Sequence, residues 1–163
     1  MEKIYIGTIV GTHGIKGELR IKSSFDHKDK VFKINNKLLI DDKEYIIRSY
    51  RVHKDFDMVT LDDYNDINDV LFLKGKKVYF NKDNLKLSND EYILEDLLNY
   101  KVIYNNSEYK VKNINDANKN NIILYIGNND DNFKITMKSP SISLDNLDKI
   151  IYINGEEGII RWR

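Results

Sequence analysis

The sequence predicts an all-β protein made of two small β domains, the first a six-stranded barrel with a short helix. Three observations lead there. The apolar runs are short, rich in β-branched and aromatic residues, and separated by clusters of Asn, Asp, Lys or Gly, the pattern of strands and turns. Hydrophobic residues make up 41% of the chain and charged residues 32%, as in globular domains that bury a core. The 163 residues allow one ordinary domain or two small ones, and the polar, weakly patterned stretch 81–90 reads as a linker between two.

The first strand is expected at Lys3 to Val10 and the second at Glu18 to Phe25. In the second, Leu19, Ile21 and Ser23 alternate with Arg20, Lys22 and Ser24, so Arg20 and Lys22 share a face. Lys37 to Ile40 and Glu44 to Val52 flank Asp41-Asp42-Lys43, a tight hairpin. Asp57 to Leu61 and Lys77 to Phe80 complete six strands. Between the last two, Ile67, Val70, Leu71 and Leu73 fall near helical spacing. Asn65 or Asp66 can cap the start of that helix, and Gly75 can take the left-handed position after its end. Six strands and one short helix suggest a small barrel.

Beyond the linker, Tyr92 to Leu98 reads as a second helical turn. Strands are expected at Tyr100 to Tyr104, Glu108 to Ile114, Ile122 to Ile126, Phe133 to Met137, Ile150 to Ile153 and Gly158 to Trp162, with Trp162 in the core. Turns fall at Asn105 to Ser107, at Asn128 to Asn132 and around Asn154-Gly155. The expected organisation is a domain over 1–82, a linker over 83–90 and a domain over 91–163.

Composition narrows the function. No apolar run approaches the roughly 20 residues of a membrane span. The N-terminus enters strand-like sequence without a basic segment, apolar stretch and cleavage site, so a cytoplasmic protein with no membrane partner is expected. The absence of cysteine removes disulfides, thiolate zinc sites and cysteine nucleophiles. His13, His27 and His53 show no metal-ligand spacing. The pairs Asp41-Asp42, Asp62-Asp63 and Asp130-Asp131 lie in turn contexts and read as solvated turn residues, not as a catalytic carboxylate pair. No serine sits in a nucleophile elbow. The expectation is a non-enzyme without catalytic residues, metal, cofactor or small-molecule substrate. The rival is an enzyme using the glycine loop and His13, and it lacks an accompanying base, nucleophile or metal set.

Net charge is zero, but residues 1–86 hold 17 Lys/Arg against 14 Asp/Glu (+3), and residues 87–163 hold 9 against 12 (−3). A domain that binds RNA mainly through phosphates is usually far more basic. A general RNA-binding barrel therefore stands as the alternative reading.

Gly7, Gly11, Gly14 and Gly17 are half of the eight glycines. They do not form a phosphate loop, because Gly14-Ile-Lys-Gly17 lacks the Gly-Lys-Ser/Thr step and a strand follows, not a helix. By physics they read as a strand–loop–strand corner, with glycines for positive φ and close backbone approach. His13 in this loop either contacts a partner or hydrogen-bonds to shape the corner. His13, Lys16, Arg20 and Lys22 form a basic group that either contacts phosphates of a partner or is an ordinary exposed face.

The run Ile6-Gly-Thr-Ile-Val-Gly-Thr-His-Gly-Ile-Lys-Gly-Glu-Leu-Arg-Ile21, followed by Ser24-Phe-Asp26, resembles the opening signature of the RimM family. Three further segments are similar to that family: Val59-Thr-Leu61 with Asp69-Val-Leu-Phe-Leu-Lys-Gly75, Asp90-Glu-Tyr92 with Asp96-Leu97, and Glu157-Gly-Ile-Ile160. The chain departs from the family pattern at Asp62, where a glycine is usual, and at Ile93, where a second tyrosine is usual. It departs again at Asn105-Asn-Ser-Glu-Tyr109 and at Ser139-Pro-Ser-Ile142. The resemblance implies an N-terminal barrel of the translation-factor type and a C-terminal PRC-type barrel. It implies a factor for late maturation of the 30S head and 16S rRNA processing. The implied partners are the immature 30S subunit with its 16S rRNA, met at His13, Lys16, Arg20 and Lys22, and the head ribosomal protein numbered nineteen, met at Tyr92 and Ile93.

Overall fold

A computed structural model describes residues 1–161; the expected core position of Trp162 lies outside them. The chain divides into two compact units, Met1–Lys86 and Leu87–Arg163. Among the described residues no helix is long and apolar enough to cross a membrane.

The first unit contains β1 (Lys3–His13), β2 (Glu18–Lys22), α1 (Lys28–Val31), β3 (Lys37–Ile40), β4 (Lys43–His53), β5 (Phe56–Leu61), α2 (Ile67–Val70) and β6 (Lys77–Asn81). Its six strands close into a barrel in the order β1-β2-β5-β4-β3-β6. The alternation of Leu19 and Ile21 with Arg20 and Lys22 puts the apolar pair inside and the cations outside. Ile6, Ile9, Leu19, Ile21, Leu38, Ile40, Val59 and Leu61 fill the interior. Each such burial contributes on the order of 1.5–3 kcal/mol.

Tight turns set the register. Asp41 and Asp42 adopt φ of 53° and 61°, and Lys54 and Asp55 adopt 50° and 67°. Both are two-residue hairpins with φ positive at each position, the turn whose twist matches paired strands. Helix α2 starts where expected: Asp66 caps it by accepting from Asn68 N at 3.0 Å. It tightens into a single 3₁₀ turn over Leu71–Leu73 before Gly75 at φ 85°.

Several expectations need correction. Strand β1 does not stop at Val10; it runs through Gly11 to His13. The corner is therefore only Gly14 to Gly17, and Gly7 and Gly11 sit within the strand at two register shifts. A Cβ on Gly7 would lie 2.7 Å from Ile21 Cγ2 and 2.9 Å from Lys22 O, so its role is close packing. Strand β2 ends at Lys22, not Phe25, because the Ser23 hydroxyl turns to donate to Ile6 O at 2.5 Å. Helix α1 had no expectation; the only local sign was a Lys-rich stretch.

The second unit contains a 3₁₀ helix (Leu94–Asn99), β7 (Lys101–Tyr104), β8 (Ser107–Asn115), β9 (Ile123–Gly127), β10 (Asn132–Thr136), β11 (Ile142–Asp145), β12 (Ile150–Ile153) and β13 (Ile159–Arg161). The seven strands form one sheet in the order β11-β12-β7-β8-β9-β10-β13. Ile142 and Leu144 from one edge and Ile159 from the other pack on a shared core, so the sheet curls into a barrel-like form. Tyr104, Tyr109 and Phe133 form an aromatic centre with centroids 5.3–5.9 Å apart. Strand β11 was not expected, since Pro140 and the serines around it mask a short edge strand. The β7–β8 turn is the expected Asn105-Asn106, at φ 49° and 60°.

Candidate nucleic-acid interface

The glycine turn and the α2 segment hold one another. Ile67 N donates to Ile15 O at 2.9 Å, and Gly17, at φ 82°, lies so close that a Cβ would sit 3.0 Å from Asp66 O. Gly75 N donates to Ile9 O at 2.7 Å. These contacts fix the end of β1 and the start of β2, and so the side chains of His13 and Arg20.

His13 is the last residue of β1 and pairs with Glu18. Arg20 points back to it, with Nη2 3.2 Å from His13 Nδ1. Register places Arg20 beside Met58 of β5, and Met58 beside Arg51 of β4. The Arg20 guanidinium lies 6.0 Å from the Phe56 ring. His53, at the end of β4, brings its ring to 5.5 Å from His13. Arg51 grips Glu18 with two hydrogen bonds, from Nε at 2.9 Å and Nη2 at 2.7 Å. Met58 shares this outward face and is fully buried, which requires the aliphatic stems of the long side chains to cover it.

The electrostatics follow from this grouping. Arg51 holds the Glu18 carboxyl below the usual carboxylate range. The His53 imidazole is held below its ordinary value, first by desolvation and then by Arg51, Lys54, His13 and Arg20. Arg20, Arg51, Lys54 and two imidazoles therefore gather near Glu18, which is already bound twice by Arg51.

Of the four residues expected to contact rRNA, the structure brings His13 and Arg20 together. Lys16 is exposed in the turn and Lys22 is exposed at the end of β2, opposite Thr8; neither makes an ion pair among the described residues. Sequence reasoning missed His53, Arg51 and Phe56. Their positions depend on strand pairing, which no local pattern reports.

In the second unit, Tyr92 is half-buried against the core and lines a shallow groove with Asp90, Met137, Ile142 and Leu144. Asn146 fixes this segment: its amide donates to Ser88 O at 2.8 Å and Glu91 O at 2.7 Å, while its oxygen accepts from Tyr100 Oη at 2.7 Å. Ile93, expected beside Tyr92 at a protein contact, is only 9% exposed. It offers a partner little surface, so the expected contact rests on Tyr92. Among the described residues no group of three or more His, Asp or Glu side chains is placed to hold a metal ion.

The family model described as the RimM N-terminal domain matches residues 4–85, all but the first residue of the closed barrel. The chain belongs to the RimM family. The protein named ribosome maturation factor RimM from Staphylococcus aureus (strain bovine RF122 / ET3-1) is 38% identical over 102 residues, which cover 59% of this chain and 61% of that protein. The protein of the same name from strain JH9 is 37% identical over the same length and shares. The match thus spans less than two thirds of these RimM relatives. A RimM crystal structure from Pseudomonas aeruginosa is 17% identical, covers 94% of this chain and 98% of its own, and has a TM-score of 0.48. The solution structure of the RimM N-terminal domain from Thermus thermophilus is 18% identical, covers 53% and 98%, and scores 0.47. The RimM assignment rests on the sequence match and not on these two likenesses.

Proposed function

We propose that this protein is a ribosome maturation factor that assists late assembly of the 30S head and 16S rRNA processing. The observation that carries the reading is the RimM-domain match over 4–85, together with relatives that bear the name ribosome maturation factor. The protein works in the cytoplasm by holding and positioning its partners, without making or breaking bonds.

Its first partner is 16S rRNA in the immature 30S subunit. His13 and Arg20, flanked by Lys16 and Lys22, supply the contacts, since cations on a curved strand face suit phosphates. Its second partner is the basic head ribosomal protein numbered nineteen. The −3 charge of residues 87–163 complements such a protein, and Tyr92 offers a large ring with a polar tip as anchor.

The test is deletion of the gene followed by a profile of small-subunit precursors. Accumulated precursor with unprocessed 16S rRNA, relieved by the wild-type gene, is expected. A normal ribosome profile sinks the proposal. Pull-down with the full-length protein at moderate salt checks the second partner: the head protein is retained by wild type and lost on Tyr92→Ala.

A further inference from the structure

We propose that His13, Arg20 and His53 form a seat for a single RNA phosphate on the outer face of the first unit. The inference rests on the rRNA-binding reading above and names its point of contact.

Arg20 makes no ion pair among the described residues. Its guanidinium is held by His13 Nδ1 at 3.2 Å and by the Phe56 ring at 6.0 Å. A guanidinium near a ring face and hydrogen-bonded from one side keeps its other donors available. Glu18, the acid paired with His13, is occupied by two bonds from Arg51.

The imidazoles complete the seat. His13 and His53 lie 5.5 Å apart, close enough for both to reach one anion. The groups that face His53 are Arg51 and Lys54 from its own hairpin, His13 from β1 and Arg20 from β2, with Glu18 beside His13; Phe56 of β5 pairs with it and carries no charge. Such a gathering of cations repels itself when empty and is relieved by a phosphate. An anion also favours protonated His53, so binding couples to proton uptake.

The test uses the full-length protein and a short fluorescein-labelled oligouridylate, read by anisotropy. Arg20→Ala and His53→Ala each weaken binding by about tenfold, and Arg20→Ala lowers the salt slope by about one. Wild-type affinity rises between about pH 8 and about pH 6, and His53→Ala flattens that rise. Lys101→Ala, in the second unit, binds as wild type does. His53→Gln keeps a polar side chain without the charge and serves if Arg20→Ala does not fold. Inorganic phosphate that competes as strongly as the oligonucleotide overturns the RNA assignment. Unchanged affinity and pH profile in folded Arg20→Ala and His53→Ala protein overturns the seat. Co-sedimentation with small-subunit precursors separates the two readings: wild type that binds precursor while the variants bind RNA normally loses only the seat, whereas wild type that ignores precursor loses the maturation role.

Discussion

The phenol of Tyr50 donates a 2.6 Å hydrogen bond to Oδ1 of Asp57, a carboxylate that is 1% exposed. Lys28 Nζ, from α1, lies 2.9 Å from the other oxygen. That contact is close enough for an ion pair but lies off the line of a hydrogen bond, so Oδ2 is left without a donor. A buried carboxylate with so few donors depends heavily on each one. Tyr50→Phe is expected to cost about 1–3 kcal/mol, measured by urea unfolding. An unchanged midpoint would show that Asp57 is satisfied without the phenol.

The same pair sets an alkaline limit. Burial, and then the bond to Asp57, pushes the Tyr50 phenol above the ordinary tyrosine value. The folded protein keeps this proton while the unfolded chain gives it up near the ordinary value of about 10. The unfolded state then binds fewer protons, and stability falls as pH rises above that point. Urea unfolding across this range is expected to show the fall in wild type and a smaller one in Tyr50→Phe.

Glu18 gives the opposite sign. Its folded value is depressed by Arg51, so its contribution is present above the unfolded value of about 4.3 and is lost as pH falls through the folded one. Arg51 is half-exposed, so the effect is small, under about 1 kcal/mol. Glu18→Gln is expected to be less stable than wild type near neutrality and equal to it in strong acid. A constant difference across pH removes the ion pair as its cause.

Gly14 and Gly17 separate backbone conformation from close packing. Both have positive φ, but a Cβ at Gly14 meets open space while one at Gly17 meets Asp66 O at 3.0 Å. Gly14→Ala is expected to cost about 1 kcal/mol and Gly17→Ala more, about 2–3 kcal/mol. Thermal melting compares the two, and equal losses would show that the α2 segment yields without cost.

Asn146 clamps residues 88–91 with two hydrogen bonds and is itself held by a third from Tyr100 Oη. Asn146→Ala is expected to speed amide hydrogen exchange over 88–92 while leaving β7–β9 protected. Uniform acceleration across the unit would mean that the clamp supports the whole sheet.

Much of the fold was legible in the sequence. Alternation at Leu19–Lys22, the pair Asp41-Asp42, the Asp66 cap and Gly75 act over a few residues, and each did what its spacing implied. Strand β11 was not legible, since Ser and Pro carry no strand pattern and its place comes from pairing with β12. The site was legible in half. His13 and the cations Lys16, Arg20 and Lys22 were visible near a glycine turn. Their division into a joined pair and two exposed lysines was not.

The sequence by itself determined most of the strands and turns and, through the run from Gly7 to Arg20, the family. The tertiary structure alone decided that His53 faces His13 across forty positions of chain and that Lys28 lies against a buried Asp57. It also left Ile93 little exposed. The reason is range. Propensity, pleat period and turn conformation are settled among near neighbours, whereas proximity across strands and burial depend on register and barrel closure, which are properties of the whole chain.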